Sequence, residues 1–123
     1  MTKERPQLNN LLKDNMSKEE VFQNKTLRPI IKMQHHLLIA SFQNYIFNKK
    51  IKFIELSNEK KIEKIKEILL RDNTYKNLIN DLSELDFSLN EFDIYNQNSS
   101  EYKRRILKII TQRLQDSLSE IAV

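Results

Sequence analysis

The chain has 123 residues, 39% apolar and 31% charged, with a net charge of +4, a size and balance that fit one folded domain and exclude a disordered chain. It contains no cysteine, which removes disulfides, thiolate metal sites and cysteine catalysis and fits a reducing compartment. It contains no glycine either, whereas phosphate-cradling loops, nucleophile elbows and tight hairpin turns need glycine for φ > 0 or close backbone approach; this argues against Rossmann, P-loop and α/β-hydrolase folds.

Residues 1–16 are expected to form a partly ordered N-terminal arm, and residues 17–123 a helical bundle domain. Met1 to Asn15 carries charge and Asn, with no apolar run of the kind a signal peptide needs. Ser17-Lys18-Glu19-Glu20 has the form of a capping box, which predicts a short helix from Lys18 to about Asn24. Thr26 can cap a second start, with Pro29 in its first turn; alternatively one helix runs through and kinks at Pro29.

From Leu27 to about Lys49 the apolar residues Ile30, Ile31, Met33, Leu37, Leu38, Ile39, Phe42, Tyr45 and Ile46 recur at helical spacing. They make a band too wide for one surface stripe, so this segment is expected to be a central helix touched on several sides, at roughly 30 Å or more if unbroken. Lys50 to Leu56 alternates like a strand but has no partner strand, and reads as a connection. Ser57 then caps a helix to about Arg71, with Ile62, Ile65, Ile68 and Leu69 inward and Lys60, Lys61, Lys64 and Lys66 outward.

A further helix is predicted from about Asn73 to Leu85, using Leu78, Ile79 and Leu82. Ser88-Leu89-Asn90-Glu91 is a second capping box, opening a short helix to about Asn96. Asn98-Ser99-Ser100 is expected to cap a long C-terminal helix to about Ile121, with Tyr102, Ile106, Ile109, Ile110, Leu114, Ser117 and Ile121 on its core face. The expected fold is therefore an all-α, single-domain bundle of about five or six helices, with one long central helix and a long C-terminal helix. The longest apolar run, Leu37 to Ala40, is far below the roughly 20 residues of a membrane span. The expectation is a soluble, cytoplasmic protein with no membrane partner.

Phe22-Gln23-Asn24, Thr26-Leu27-Arg28-Pro29-Ile30 and Gln97-Asn98-Ser99-Ser100 resemble a family of small uncharacterised helical bacterial proteins, some of whose members are labelled "glyoxalase". The resemblance covers most of the chain beyond Ser17 and implies no transferable site residues. Enzymes that merit the label use paired βαβββ modules with metal ligands on strands. This chain offers no such sheet, and its two histidines are sequence neighbours on a helix.

Adjacent helical residues such as His35 and His36 point about 100° apart, and helical ligand pairs need i, i+4 spacing. The residues four away are Ile31 and Ile39 for one histidine, Lys32 and Ala40 for the other, so no metal site is expected. Glu59, Glu63 and Glu67 sit among lysines and read as a solvated, ion-paired face. No catalytic residue and no cofactor are predicted.

Charge is segregated more sharply. Asp72 to Glu101 holds seven acids and only Lys76 as a base, whereas Lys103, Arg104, Arg105, Lys108 and Arg113 crowd the last helix. A helix-turn-helix alignment over Ser88 to Leu107 fails at Asp93, Gln97, Asn98 and Lys103, which argues against nucleic acid; charge alone keeps weak nucleic-acid binding as a third reading.

The first reading is a non-enzymatic protein acting through protein–protein interaction or self-association, its acidic and basic segments facing each other within the fold or across a homo-oligomer. The second is a small-molecule or anion-binding enzyme, which requires the polar stretches Asn24 to Arg28 and Asn98 to Ser100 to converge on one pocket. Arg28, His35, Asn98, Lys103, Arg104, Arg105 and Lys108 are the expected anion or partner contacts.

Overall fold

The computed structural model describes Arg5 and residues 16–121; of these residues 81% are helical and none lies in a strand. The expected arm lies outside the described residues except for Arg5 and Met16. Seven α-helical stretches follow in order: α1 (Lys18–Phe22), α2 (Arg28–Met33), α3 (His35–Asn48), α4 (Asn58–Arg71), α5 (Asn73–Glu84), α6 (Leu89–Asn96) and α7 (Ser99–Gln115). A π turn, Gln23–Leu27, joins α1 to α2 without a break, so the bundle counts six helical rods among the described residues. Among the described residues no helix is long and apolar enough to cross a membrane.

Of the two alternatives at Pro29, the chain takes the single bent helix. Pro29 has no N–H and its ring crowds the carbonyl four residues back, so a regular α-helix cannot pass through it unchanged. The backbone widens just before it, and the Arg28 N–H bonds the Gln23 carbonyl five residues back. Thr26 caps nothing. Its side chain is buried, and Oγ1 donates to Glu91 Oε2 on α6 at 3.5 Å.

The long apolar segment is interrupted at Gln34, which has φ −89° and ψ 10° and separates α2 from α3. Its buried side chain explains the break. Nε2 donates to the Leu82 carbonyl at 2.7 Å and to Asp86 Oδ2 at 2.5 Å, fastening the bend to the end of α5. Leu38, Ile39, Phe42 and Ile46 are buried by neighbouring helices, whereas Leu37 and Phe47 face solvent.

α3 ends in a Schellman turn: the Ile51 N–H bonds the Ile46 carbonyl and the Lys50 N–H bonds the Phe47 carbonyl. That turn puts Lys50 at φ 56°, a place usually given to glycine, which this chain lacks. The connection beyond it is a single 3₁₀ turn at Phe53–Glu55, with Phe53 fully buried.

α7 takes the hub of the bundle, packing against the π turn and α2 to α6. Its inward residues Tyr102, Ile106, Ile109, Ile110 and Leu114 follow helical spacing and are all buried. Phe22, Phe87, Tyr95 and Tyr102 close one end of the core as a chain of ring contacts, from 4.6 to 6.2 Å between centroids. At the same end Arg5 clamps Glu91 with bonds of 2.5 and 2.7 Å and also donates to the Asp86 carbonyl.

Candidate functional site

Arg104 and Arg105 follow Glu101 by three and four residues, so α7 presents both guanidinium groups to one carboxylate. Their bonds run from 2.6 to 2.9 Å. The hydrogen bonds from Arg104, then those from Arg105, hold the Glu101 carboxyl down at about 2. Arg105 NH1 also crosses to Gln23 Oε1 of the π turn at 2.7 Å, and one turn further on Arg28 Nε donates to Asn24 Oδ1 at 3.0 Å.

The bent N-terminal helix and α7 are thus two walls of a cleft of about 540 Å³. Arg28, Arg104, Arg105 and Lys108 line it, with Glu20, Gln23, Ile109 and Gln112.

An apolar groove of about 620 Å³ adjoins this cleft and shares Arg104, Lys108 and Gln112 with it. Ile62, Leu69, Leu70 and Leu107 form its floor between α4 and α7. Lys66 and Lys76 join Arg104 and Lys108 on the rim, and no carboxylate lines it. Ile62 was expected to point inward, yet it is 41% exposed, and Leu70 is 62% exposed.

The corner between α5 and α6 has the opposite character. Leu85 and Leu89, 80% and 87% exposed, stand there with half-exposed Phe92, beside the exposed carboxylates of Asp81 and Asp93.

Four of the seven expected contacts, Arg28, Arg104, Arg105 and Lys108, therefore come together. Lys103 is exposed on α7 outside the cleft. Asn98 occupies the cap position of α7, but its side chain makes no capping bond. The polar stretch from Asn24 to Arg28 is no helix start, and among the described residues the cleft that Arg28 lines includes neither Asn98 to Ser100 nor His35.

His35 belongs to another cluster. Candidate ligand atoms of His35, His36 and Glu120 lie within 4.8 Å of one another, a triplet that i, i+4 reasoning missed because Glu120 comes from the far end of the chain. His35 Nε2 sits 3.0 Å from both Glu120 oxygens, and Arg113 NH1 sits 3.2 Å from His35 Nδ1.

Arginine only donates, so Nδ1 accepts and Nε2 carries the proton given to Glu120. An ion on Nδ1 would have to displace Arg113. An ion on Nε2 would put a proton on Nδ1, facing a guanidinium. With that proton placement these residues act as an interhelical clamp, and a cation at His35 would compete with its bond to Arg113 or to Glu120.

A third cavity, of about 390 Å³, is lined by Ser41, Tyr45, Lys49, Asp72 and Tyr75 among others. The Tyr45 hydroxyl donates to Asp72 Oδ2 at 2.6 Å, while Asp72 Oδ1 caps α5 through the Tyr75 N–H. Burial pushes the Tyr45 and Tyr75 hydroxyls up to about 12, and the bond to Asp72 adds to the rise at Tyr45. Both are neutral at physiological pH: Tyr45 donates to Asp72 and Tyr75 accepts from Ser41 Oγ at 3.4 Å, two bonds that fasten α3 to α5. Comparison of the chain with protein-family models, with curated proteins and with solved structures finds no match.

Proposed function

We propose that this is a non-enzymatic interaction protein that self-associates, with the α4–α7 groove of one copy receiving the α5–α6 corner of another. The observation that carries this reading is the groove itself: an apolar floor under Lys66, Lys76, Arg104 and Lys108, with no acid in its lining. The corner offers the complement, Leu85, Leu89 and Phe92 beside Asp81 and Asp93.

Each face joins exposed apolar area, which association would bury, to one sign of charge, which sets orientation and rejects like faces. A two-fold axis would form the groove-to-corner contact twice and close the assembly as a dimer. The apolar band of the central segment is largely covered within the chain, with Leu37 and Phe47 left exposed, so the contact is assigned to the groove.

Sedimentation velocity at micromolar concentration and moderate salt tests this. The expected species has about twice the chain mass, and Leu89→Asp reverts it to one chain mass while its circular dichroism spectrum stays helical. A wild-type protein that remains at one chain mass over a hundredfold concentration range would overturn it.

A further inference from the structure

The cleft shares Arg104 and Lys108 with the groove, but Arg28 and Arg105 belong to it alone and take no part in docking. Its arginines are held from behind. Arg105 spends Nε on Glu101 and NH1 on Gln23, Arg104 spends Nε and NH2 on Glu101, and Arg28 spends Nε on Asn24. A guanidinium has five N–H donors, so each keeps donors over, and Lys108 has no partner among the described residues.

The Arg105 side chain is only 18% exposed where it lines the cleft between the bent helix and α7. Counting formal charges, four cations stand against Glu20 and Glu101, which leaves two positive charges uncompensated. Glu20 is drawn toward Ser17, whose Oγ donates to it at 3.3 Å.

We infer that this cleft is a binding site for a phosphate-type dianion, either free inorganic phosphate or the terminal group of a small phosphate monoester. Fork-shaped guanidinium donors match phosphate oxygens, and two opposed walls suit a tetrahedral group. The π turn is the device that makes the site. By carrying the helix through the Pro29 position it sets Gln23, Asn24 and Arg28 opposite Arg105.

The site is separable from the docking reading, because Arg28 and Arg105 line only the cleft, whereas Ile62 and Leu70 line only the groove. Titration calorimetry at neutral pH and fixed ionic strength, with inorganic phosphate and with glycerol phosphate, tests the inference. Saturable binding of either is expected; tighter binding of the monoester assigns the site to a small phosphorylated molecule, and tighter binding of the free ion to phosphate itself.

Arg28→Gln and Arg105→Gln should each weaken binding about tenfold. Lys103→Gln, which removes the same charge from the same face outside the cleft, and Ile62→Ser should change it less than twofold. Arg28→Gln keeps the test sound should the Arg105 variant fold poorly. Absence of saturation, equal loss in Lys103→Gln, or equal binding of succinate would overturn the inference.

Discussion

Glu101 shows how much one side chain can set at the residue scale. Its carboxylate holds two arginines, and those bonds keep it at about 2 against an ordinary 4.5. A carboxyl depressed in the folded state contributes stability that is complete above the unfolded value and is lost as pH falls through the folded one. The gap in melting temperature between wild type and Glu101→Gln should therefore be widest above pH 4.5 and close toward pH 2. Thermal melts across that range check it; a gap that does not change with pH would mean the arginines ignore this carboxylate.

The i, i+3 and i, i+4 spacing behind this pair was visible in the sequence, and reading it would have shown that Arg104 and Arg105 share an anchor. Gln23 as the second anchor was not visible, because nothing local announces a contact across 82 residues.

Among elements, what could be read was local chemistry. Ser17, Ser57 and Ser88 cap α1, α4 and α6; Ser88 with Glu91 closes a full capping box, whereas at the predicted Ser17 box the Glu20 carboxylate takes the Ser17 hydroxyl and only the serine half forms. These signals are legible because donor and acceptor lie within four residues. The π turn and the break at Gln34 escaped, since an interior glutamine gives no sign of a break until its distant partners are known.

Gln34 is the better test of why the apolar segment divides. Its amide satisfies the Leu82 carbonyl and meets Asp86, and truncation would strand both next to the core. Gln34→Ala should cost about 1–3 kcal/mol, read from chemical denaturation. A cost near zero would mean that the bend is set by packing alone.

At the scale of the whole molecule, the sequence showed the segregation of charge but not its arrangement. The acidic and basic segments were expected to face each other, within the fold or across a dimer. Part of that happens inside the chain, where Glu101 meets Arg104 and Arg105, whereas Glu91 takes Arg5 from outside the basic segment. The rest is displayed outward on two separate faces, each with exposed apolar residues. Only assembly of the bundle could reveal this, since the groove draws Lys66, Lys76 and Lys108 from three different helices.

The central claim is that these two faces fit one another. The measurement that tests it most directly mixes two charge-reversed chains, one carrying Lys66→Glu and Lys76→Glu, the other Asp81→Lys and Asp93→Lys. Each alone should sediment as a single chain at low micromolar concentration, because its altered face repels the unaltered face of its own kind. Mixed in equal amounts they should form a complex of twice the chain mass, which weakens as salt is raised. A mixture that stays monomeric, or reversed chains that still dimerise alone as well as the wild type, would contradict the account.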